Sequence, residues 1–311
     1  MKRYTIIHDE TVVRSFMCDV MPELGGRTQA YFLSLAARKK YFTAEQRKEY
    51  ALAHSEMFGR KLVTSKAGML KALREFELPE GSYTVRKDSD QALPVDPHVL
   101  TAYVNLHPVD TVTAWTKANQ RVAEGLLRAA QGSGIDEHFV PPMSTFMTEC
   151  QKSRAFKHFV DVDFDVPFLT TDGNISPSPL RTDERARFIE DVLDALGEFP
   201  KSFPDLVVTV VYTSSGFHLL FKTSTLSFNF MDPIHEVVNK WRLDDLAVER
   251  DYDNWEVDVN KSAMIPMPGT YQPVKGGGRH PVTYQTVTYN SQTREVWWAE
   301  AGENTLRRGH R

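Results

Sequence analysis

In the second half of the chain, short apolar runs alternate with polar breaks. Residues 156–164, 206–212 and 217–222 are rich in Val, Leu and Phe and read as strands. Ser214-Ser215-Gly216 joins the last two as a turn. Helical spacing appears at 182–196 and 233–246, and strand patterning returns at 255–259 and 263–267. Residues 282–289 and 293–298 alternate about Asn290-Ser291, which predicts a terminal hairpin. The Pro-, Thr-, Asp- and Ser-rich stretch 167–179 predicts a loop.

The first half reads as more helical. Residues 4–8 alternate weakly and predict a strand. Residues 28–42 predict a helix with Phe32, Leu35 and Ala36 on one face. Thr43-Ala44-Glu45-Gln46 fits a capping box, so a second helix is expected to start there and run to about residue 58. A third helix is expected at 65–77 with Leu70 and Leu73 inward, then a turn at Pro79-Glu80-Gly81 and a strand at 98–106. Asp110 is placed to cap a helix whose stripe is Val112, Trp115, Ala118, Val122 and Leu126. Gly132-Ser133-Gly134 ends that helix and opens a connection to about residue 142. The pattern predicts an α/β (α+β) protein of two packed modules, 1–150 and 151–311, without internal repeats.

Composition narrows the class. The 311 residues are 41% hydrophobic and 25% charged, as in an ordinary globular protein. No run is apolar enough to span a bilayer, and the N-terminus lacks the apolar core of a signal peptide, so a cytoplasmic protein without membrane contact is expected. Cys18 and Cys150 are the only cysteines; they cannot form a four-cysteine site, no structural zinc is expected, and both are read as buried thiols. The formal net charge of −4 means that any nucleic-acid binding must use a local patch. Basic clusters occur at Arg38-Lys39-Lys40, at Lys152, Arg154 and Lys157, and at Arg307-Arg308. The middle one leads directly into the 156–164 strand and is the preferred candidate.

The chemistry lies on the strands. Asp161 and Asp163 are two apart and therefore share a face, roughly 6.5–7 Å apart along the backbone. Asp165 extends the same face. Val160, Val162 and Phe164 mark the other side as buried. Two like charges on one strand repel, and a divalent cation removes that cost. Mg²⁺ and Mn²⁺ favour such hard oxygen donors, often shared with substrate phosphates. Glu256, Asp258 and Asn260 share a face of the 255–259 strand and its end, and either Glu256 or Asp258 can complete a carboxylate set. Ser215-Gly216-Phe217-His218 combines a backbone free to approach a phosphate with two side-chain donors. No Ser-His-Asp hydrolase arrangement or P-loop sequence occurs.

In that order, Asp161-Val162-Asp163, then Ser215-Gly216-Phe217-His218, then Val257-Asp258, the motifs resemble those of the archaeo-eukaryotic primase superfamily. The specific resemblance covers about residues 156–290 and is looser over 1–150. It implies a helical and α/β N-terminal module packed on an RRM-like antiparallel-sheet catalytic module. It implies two Mg²⁺ or Mn²⁺ ions on Asp161, Asp163 and Asp258, with Ser215, Gly216, His218 and Lys275 at the nucleotide triphosphate. The activity implied is metal-dependent nucleotidyl transfer, as a DNA primase or primase-polymerase. The partners implied are single-stranded DNA template, NTPs or dNTPs, and a replicative helicase working beside it. Lys152, Arg154 and Lys157 are the candidate DNA contacts. Compact primases of this kind occur in phages, plasmids and other mobile elements. Pro268-Gly269-Thr270 and Lys275-Gly276 stand where many members have a Pro-Gly-Ser/Thr turn followed by Lys and Gly. The strand before them, 263–267, lacks the arginine those members carry, which leaves Lys261 or Lys275 to supply the charge. Two alternatives stand beside the primase: a non-priming repair or extension polymerase, and a catalytically silent nucleic-acid-binding module.

Overall fold

A computed structural model describes residues 3–50, 52, 55–86, 92–133, 142–165, 182–196, 205–223, 229–243, 256–274, 277–299 and 306–308. Lys275, Gly276, Trp255, most of the connection after residue 133 and the whole of the 167–179 stretch lie outside the described residues. The protein mixes α and β structure, and among the described residues every strand pair is antiparallel.

The first part contains α1 (Glu10–Ser15), β1 (Gln29–Arg38), α2 (Ala44–Glu49), β2 (Ser55–Val63), α3 (Met69–Arg74), β3 (Thr84–Arg86), β4 (Ala92–Pro94), β5 (Leu100–Asn105), β6 (Val109–Asp110), α4 (Thr111–Arg128) and α5 (Pro142–Lys152). The helix expected at 28–42 is instead β1. Its apolar run is buried on both faces, because Leu33, Leu35 and Ala37 pack into one core and Phe32 and Ala36 into another. A strand covered on both sides carries no alternation, so its pattern cannot be told from that of a buried helix. Phe32 and Leu35, expected on one face, enter different cores.

The Thr43 capping box forms as expected, but α2 ends after six residues and β2 replaces the rest of the helix predicted to residue 58. Residues 4–8 contribute only an isolated bridge, between Ile7 and Thr270. Asp110 caps α4, accepting from the N–H groups of Val112 and Thr113. The predicted stripe is buried only at Ala118, however. Ala114 and Ala118 are buried, while Val112 is 56% exposed and Trp115 and Leu126 are also exposed. Cys150 is buried as expected, but Cys18 is exposed, on the turn that follows α1.

The second part follows the sequence reading closely. It contains β7 (Phe159–Asp165), α6 (Thr182–Ala195), β8 (Asp205–Tyr212), β9 (Gly216–Lys222), α7 (Met231–Leu243), β10 (Glu256–Val259), β11 (Met264–Pro266), β12 (Tyr271–Pro273), β13 (Arg279–Pro281), β14 (Thr283–Asn290), β15 (Glu295–Ala299) and β16 (Leu306–Arg308). Seven strands form one sheet in the order β10-β7-β9-β8-β14-β15-β16. Val160, Val162, Phe164, Phe217, Leu219 and Phe221 pack on Phe188, Ile189, Val192 and Leu193 of α6 and on Ile234 and Val238 of α7. Burying each such side chain contributes about 1.5–3 kcal/mol. That burial fixes which face of β7 is inside, and so turns Asp161, Asp163 and Asp165 the other way.

That other face meets the first part. Phe159, Val211 and Leu220 share a core with Leu33, Leu35, Val104 and Ile265. The chain also crosses between the sheets here: β10 ends the second sheet, and β11, four residues on, pairs with β5 in the first. Ala263 in the crossover holds φ at 51°, a conformation uncommon for a residue other than glycine.

Candidate functional site: a carboxylate row on the face of the second sheet

The site is assembled by strand register. Asp163 is directly opposite His218 of β9 on one side and Asp258 of β10 on the other. Asp165 is likewise opposite Gly216 and Glu256. Residues directly opposite on neighbouring strands project to the same face. Three sequence motifs separated by tens of residues therefore form adjacent rows. Gly216 is required where it stands: a Cβ there would lie 1.7 Å from the carbonyl oxygen of Phe164.

The carboxylates are not equivalent. Asp161 is 2% exposed and both of its oxygens are occupied. Oδ1 lies 2.9 Å from Nδ1 of His218, and Oδ2 accepts a 2.7 Å bond from the Asn260 amide. The Asn260 backbone N–H also donates to the Asp161 carbonyl at 2.8 Å, and its side chain donates to the Met264 carbonyl at 3.2 Å. Asn260 thus ties β7 to the crossover between the sheets. Asp163 keeps 30% side-chain exposure, with Oδ1 at 3.6 Å from Nε2 of His218. Burial raises its pKa, while His218 opposes that rise. Asp258 is exposed, and its Oδ1 accepts the N–H of Val259.

His218 is 4% exposed. Burial pushes its pKa down, but Asp161 and Asp163 outweigh burial and lift it to about 9. At neutral pH the ring is an imidazolium held between two carboxylates. Both nitrogens face Asp161 and Asp163, so the ring braces the row. Ser215 and Gly216 sit beside Asp165 at the start of β9. The preceding Ser214 is fixed by its N–H, which donates to Gln272 Oε1 at 2.8 Å.

A cation also approaches this face from the first sheet. Arg38, at the end of β1, places its guanidinium 5.4 Å from the centre of the Tyr103 ring. Its charge is favoured first by Tyr103, against the cost of burial, and then by Tyr41, Asp163 and Asp165. Tyr41 lies alongside, 3.5 Å from Ser214 Oγ and accepting from Gln272 Nε2 at 3.3 Å. The sequence flagged Arg38 as one of a basic run, but nothing local to it points at Asp163.

Two expected contributors lie apart from the row. Pro268-Gly269-Thr270 docks on the N-terminal segment, where the Gly269 carbonyl accepts from His8 and Asp9. A Cβ at Gly269, with φ at 86°, would come within 2.6 Å of the Asp9 carbonyl oxygen. Lys152, Arg154 and Lys157 gather at the opposite end of β7. Arg154 is bonded to the Lys261 carbonyl on the crossover, while Lys152 and Lys157 are exposed.

As donors for a hard cation, Asp163 and Asp258 fit best, being opposite one another and partly open, with Asp165 and Glu256 on the same face. Among the described residues no group of three or more His, Cys, Asp or Glu side chains is gathered tightly enough to enclose an ion. A cation shared with a ligand's phosphates needs fewer protein donors than an enclosed one. No helix among the described residues is long and apolar enough to cross a membrane. Comparison of the chain with protein-family models, with curated proteins and with solved structures finds no match.

Proposed function

We propose that the chain is a metal-dependent nucleotidyltransferase of the primase-polymerase kind, acting on single-stranded DNA with NTPs or dNTPs. The observation that carries this reading is the row Asp258–Asp163–His218, three motif residues brought directly opposite one another on one face. Asp163 and Asp258 would hold Mg²⁺ or Mn²⁺, backed by Asp161. When bound, such ions stabilise the attacking and leaving oxygens of a phosphoryl displacement. His218 keeps Asp161 and Asp163 in register and lends positive charge beside them. Ser215 and Gly216 offer a donor and an unobstructed backbone next to the row, with Lys275 the further candidate on the nucleotide. Lys152 and Lys157 supply exposed charge for a template, in a chain whose overall charge is negative.

A silent nucleic-acid-binding module is the second reading. It is favoured by the commitment of both Asp161 oxygens to His218 and Asn260. One experiment separates them: incubation with unprimed single-stranded DNA, Mn²⁺ and labelled nucleotides, read on a gel. Extended product is expected from the wild type and none from Asp163→Ala. Product only with a primed template would indicate an extension polymerase. Template binding with no incorporation on either substrate would leave the silent module.

A further inference from the structure

Arg38 has no hydrogen-bond or ion-pair partner among the described residues, although it is half-buried and faces a carboxylate row. Two neighbouring groups on the same sheet face share that condition. Thr101 is opposite Ala36 and Tyr103 is opposite Ser34, so both project with Arg38. Thr101 is 0% exposed and Tyr103 is 5% exposed. Their hydroxyls lie near one another, but neither makes a hydrogen bond of normal geometry. Buried hydroxyls are ordinarily hydrogen-bonded, so two that are not, beside a free guanidinium, require an explanation. Lys40 adds a second cation, 5.5 Å from the centre of the Tyr41 ring.

We propose that Arg38, Tyr103 and Thr101 form an anion subsite, contributed by the first sheet, that takes the polyphosphate of the incoming nucleotide. The chemistry fits on both sides. Planar guanidinium and hydroxyl donors match phosphate oxygens, and charge-assisted bonds of this type are the strong ones. Asp163 and Asp165, whose charges reach Arg38, would repel a bare polyphosphate but accept one that arrives with a divalent cation. The subsite also gives the first sheet a part in the chemistry, supplying the cation missing from 263–267. The choice of a nucleotide as phosphate source rests on the polymerase reading; the anion subsite itself does not.

The test is calorimetric titration of inorganic tripolyphosphate in Mg²⁺ buffer, with a parallel titration of oligo-dT. Arg38→Ala is expected to weaken tripolyphosphate binding by about tenfold or more, the loss of one charge-assisted pair. Tyr103→Phe and Thr101→Val are expected to weaken it several-fold while leaving the melting temperature of the ligand-free protein unchanged or higher. The reason is that each removes a hydroxyl without a hydrogen bond of normal geometry. Unchanged tripolyphosphate affinity in Tyr103→Phe and Thr101→Val overturns the inference even if Arg38→Ala folds poorly. So does a wild type that binds no tripolyphosphate, or variants that lose only oligo-dT. A wild type that binds tripolyphosphate through these residues but never incorporates nucleotide keeps the subsite and removes the polymerase. One that incorporates nucleotide, with tripolyphosphate binding indifferent to all three substitutions, removes the subsite alone.

Discussion

The two ends of β7 carry opposite chemistry, and two buried histidines register the difference. At the C-terminal end His218 lies between Asp161 and Asp163 and is held charged, with a pKa of about 9. At the N-terminal end His107 is equally buried, but its pKa is pushed down to about 4, first by burial and then by Arg154, Lys157 and His158. Its Nδ1 accepts the His158 N–H at 3.1 Å, a bond that only an unprotonated nitrogen can make. Burial acts on both rings in the same direction; the sign of the neighbouring charges decides the outcome. From Phe159 to Asp165 is roughly 20 Å of strand. Over that length the strand's surroundings pass from clustered cations to clustered carboxylates.

The sharpest way to break this contrast is at Asp161 and Asp163, which a sequence motif treats as a pair. Asp161→Ala removes one member of a buried ion pair and leaves His218 and Asn260 without it, at a cost of roughly 3–5 kcal/mol. Asp163→Ala removes a charge that burial, Asp161 and Asp165 disfavour, and is expected to leave stability near that of the wild type, or slightly above it. Both should abolish incorporation. Urea denaturation of the two variants checks the difference; equal stabilities would show that Asp161 is not the anchor.

A smaller effect is expected in the pH dependence of stability. The folded pKa of His218, about 9, is above the ordinary 6.5. Its contribution is fully present below pH 6.5 and is lost as pH rises through about 9. His107 has the opposite sign: its folded pKa of about 4 is below 6.5, so its contribution is present above pH 6.5 and lost as pH falls towards 4. Thermal melts should show a maximum near neutrality with two flanks. His218→Gln is expected to flatten the alkaline flank and His107→Gln the acid one. If either substitution flattened the wrong flank, the charge assignment of that end would fail.

The smallest effect concerns the basic end. Arg154 is held by the Lys261 carbonyl, so the exposed Lys152 and Lys157 are the cleaner probes. Removing one lysine–phosphate pair should reduce the slope of log affinity against log salt by about 0.7 on single strands. The double change to Gln is therefore expected to flatten a fluorescent oligo-dT titration by about 1.4 while tripolyphosphate affinity is unchanged. An unaltered slope would mean that the template does not use this end.

Much of the second part is legible because its strands carry one-sided patterns. Val160, Val162 and Phe164 alternate with Asp161, Asp163 and Asp165, so face and element type follow from period alone. The capping residues Thr43 and Asp110 act within a few positions of themselves, and both are readable for the same reason. The run of β1 is not readable, since a strand covered on both sides has no alternation to show. The predicted stripe of α4 holds only at Ala118, because which side of a helix is buried depends on what packs against it, and here the buried side carries the small Ala114 and Ala118. In the site, sequence determined the carboxylate pair, the Ser-Gly-x-His turn and the third acidic strand. Only the tertiary structure decided that Asp163 stands between His218 and Asp258, that Asn260 and His218 occupy Asp161, and that Arg38 arrives from the other sheet. Those are matters of strand register and sheet crossing. They are set between residues far apart in the chain, Asp161 being 57 positions from His218 and 99 from Asn260, and no local pattern encodes them.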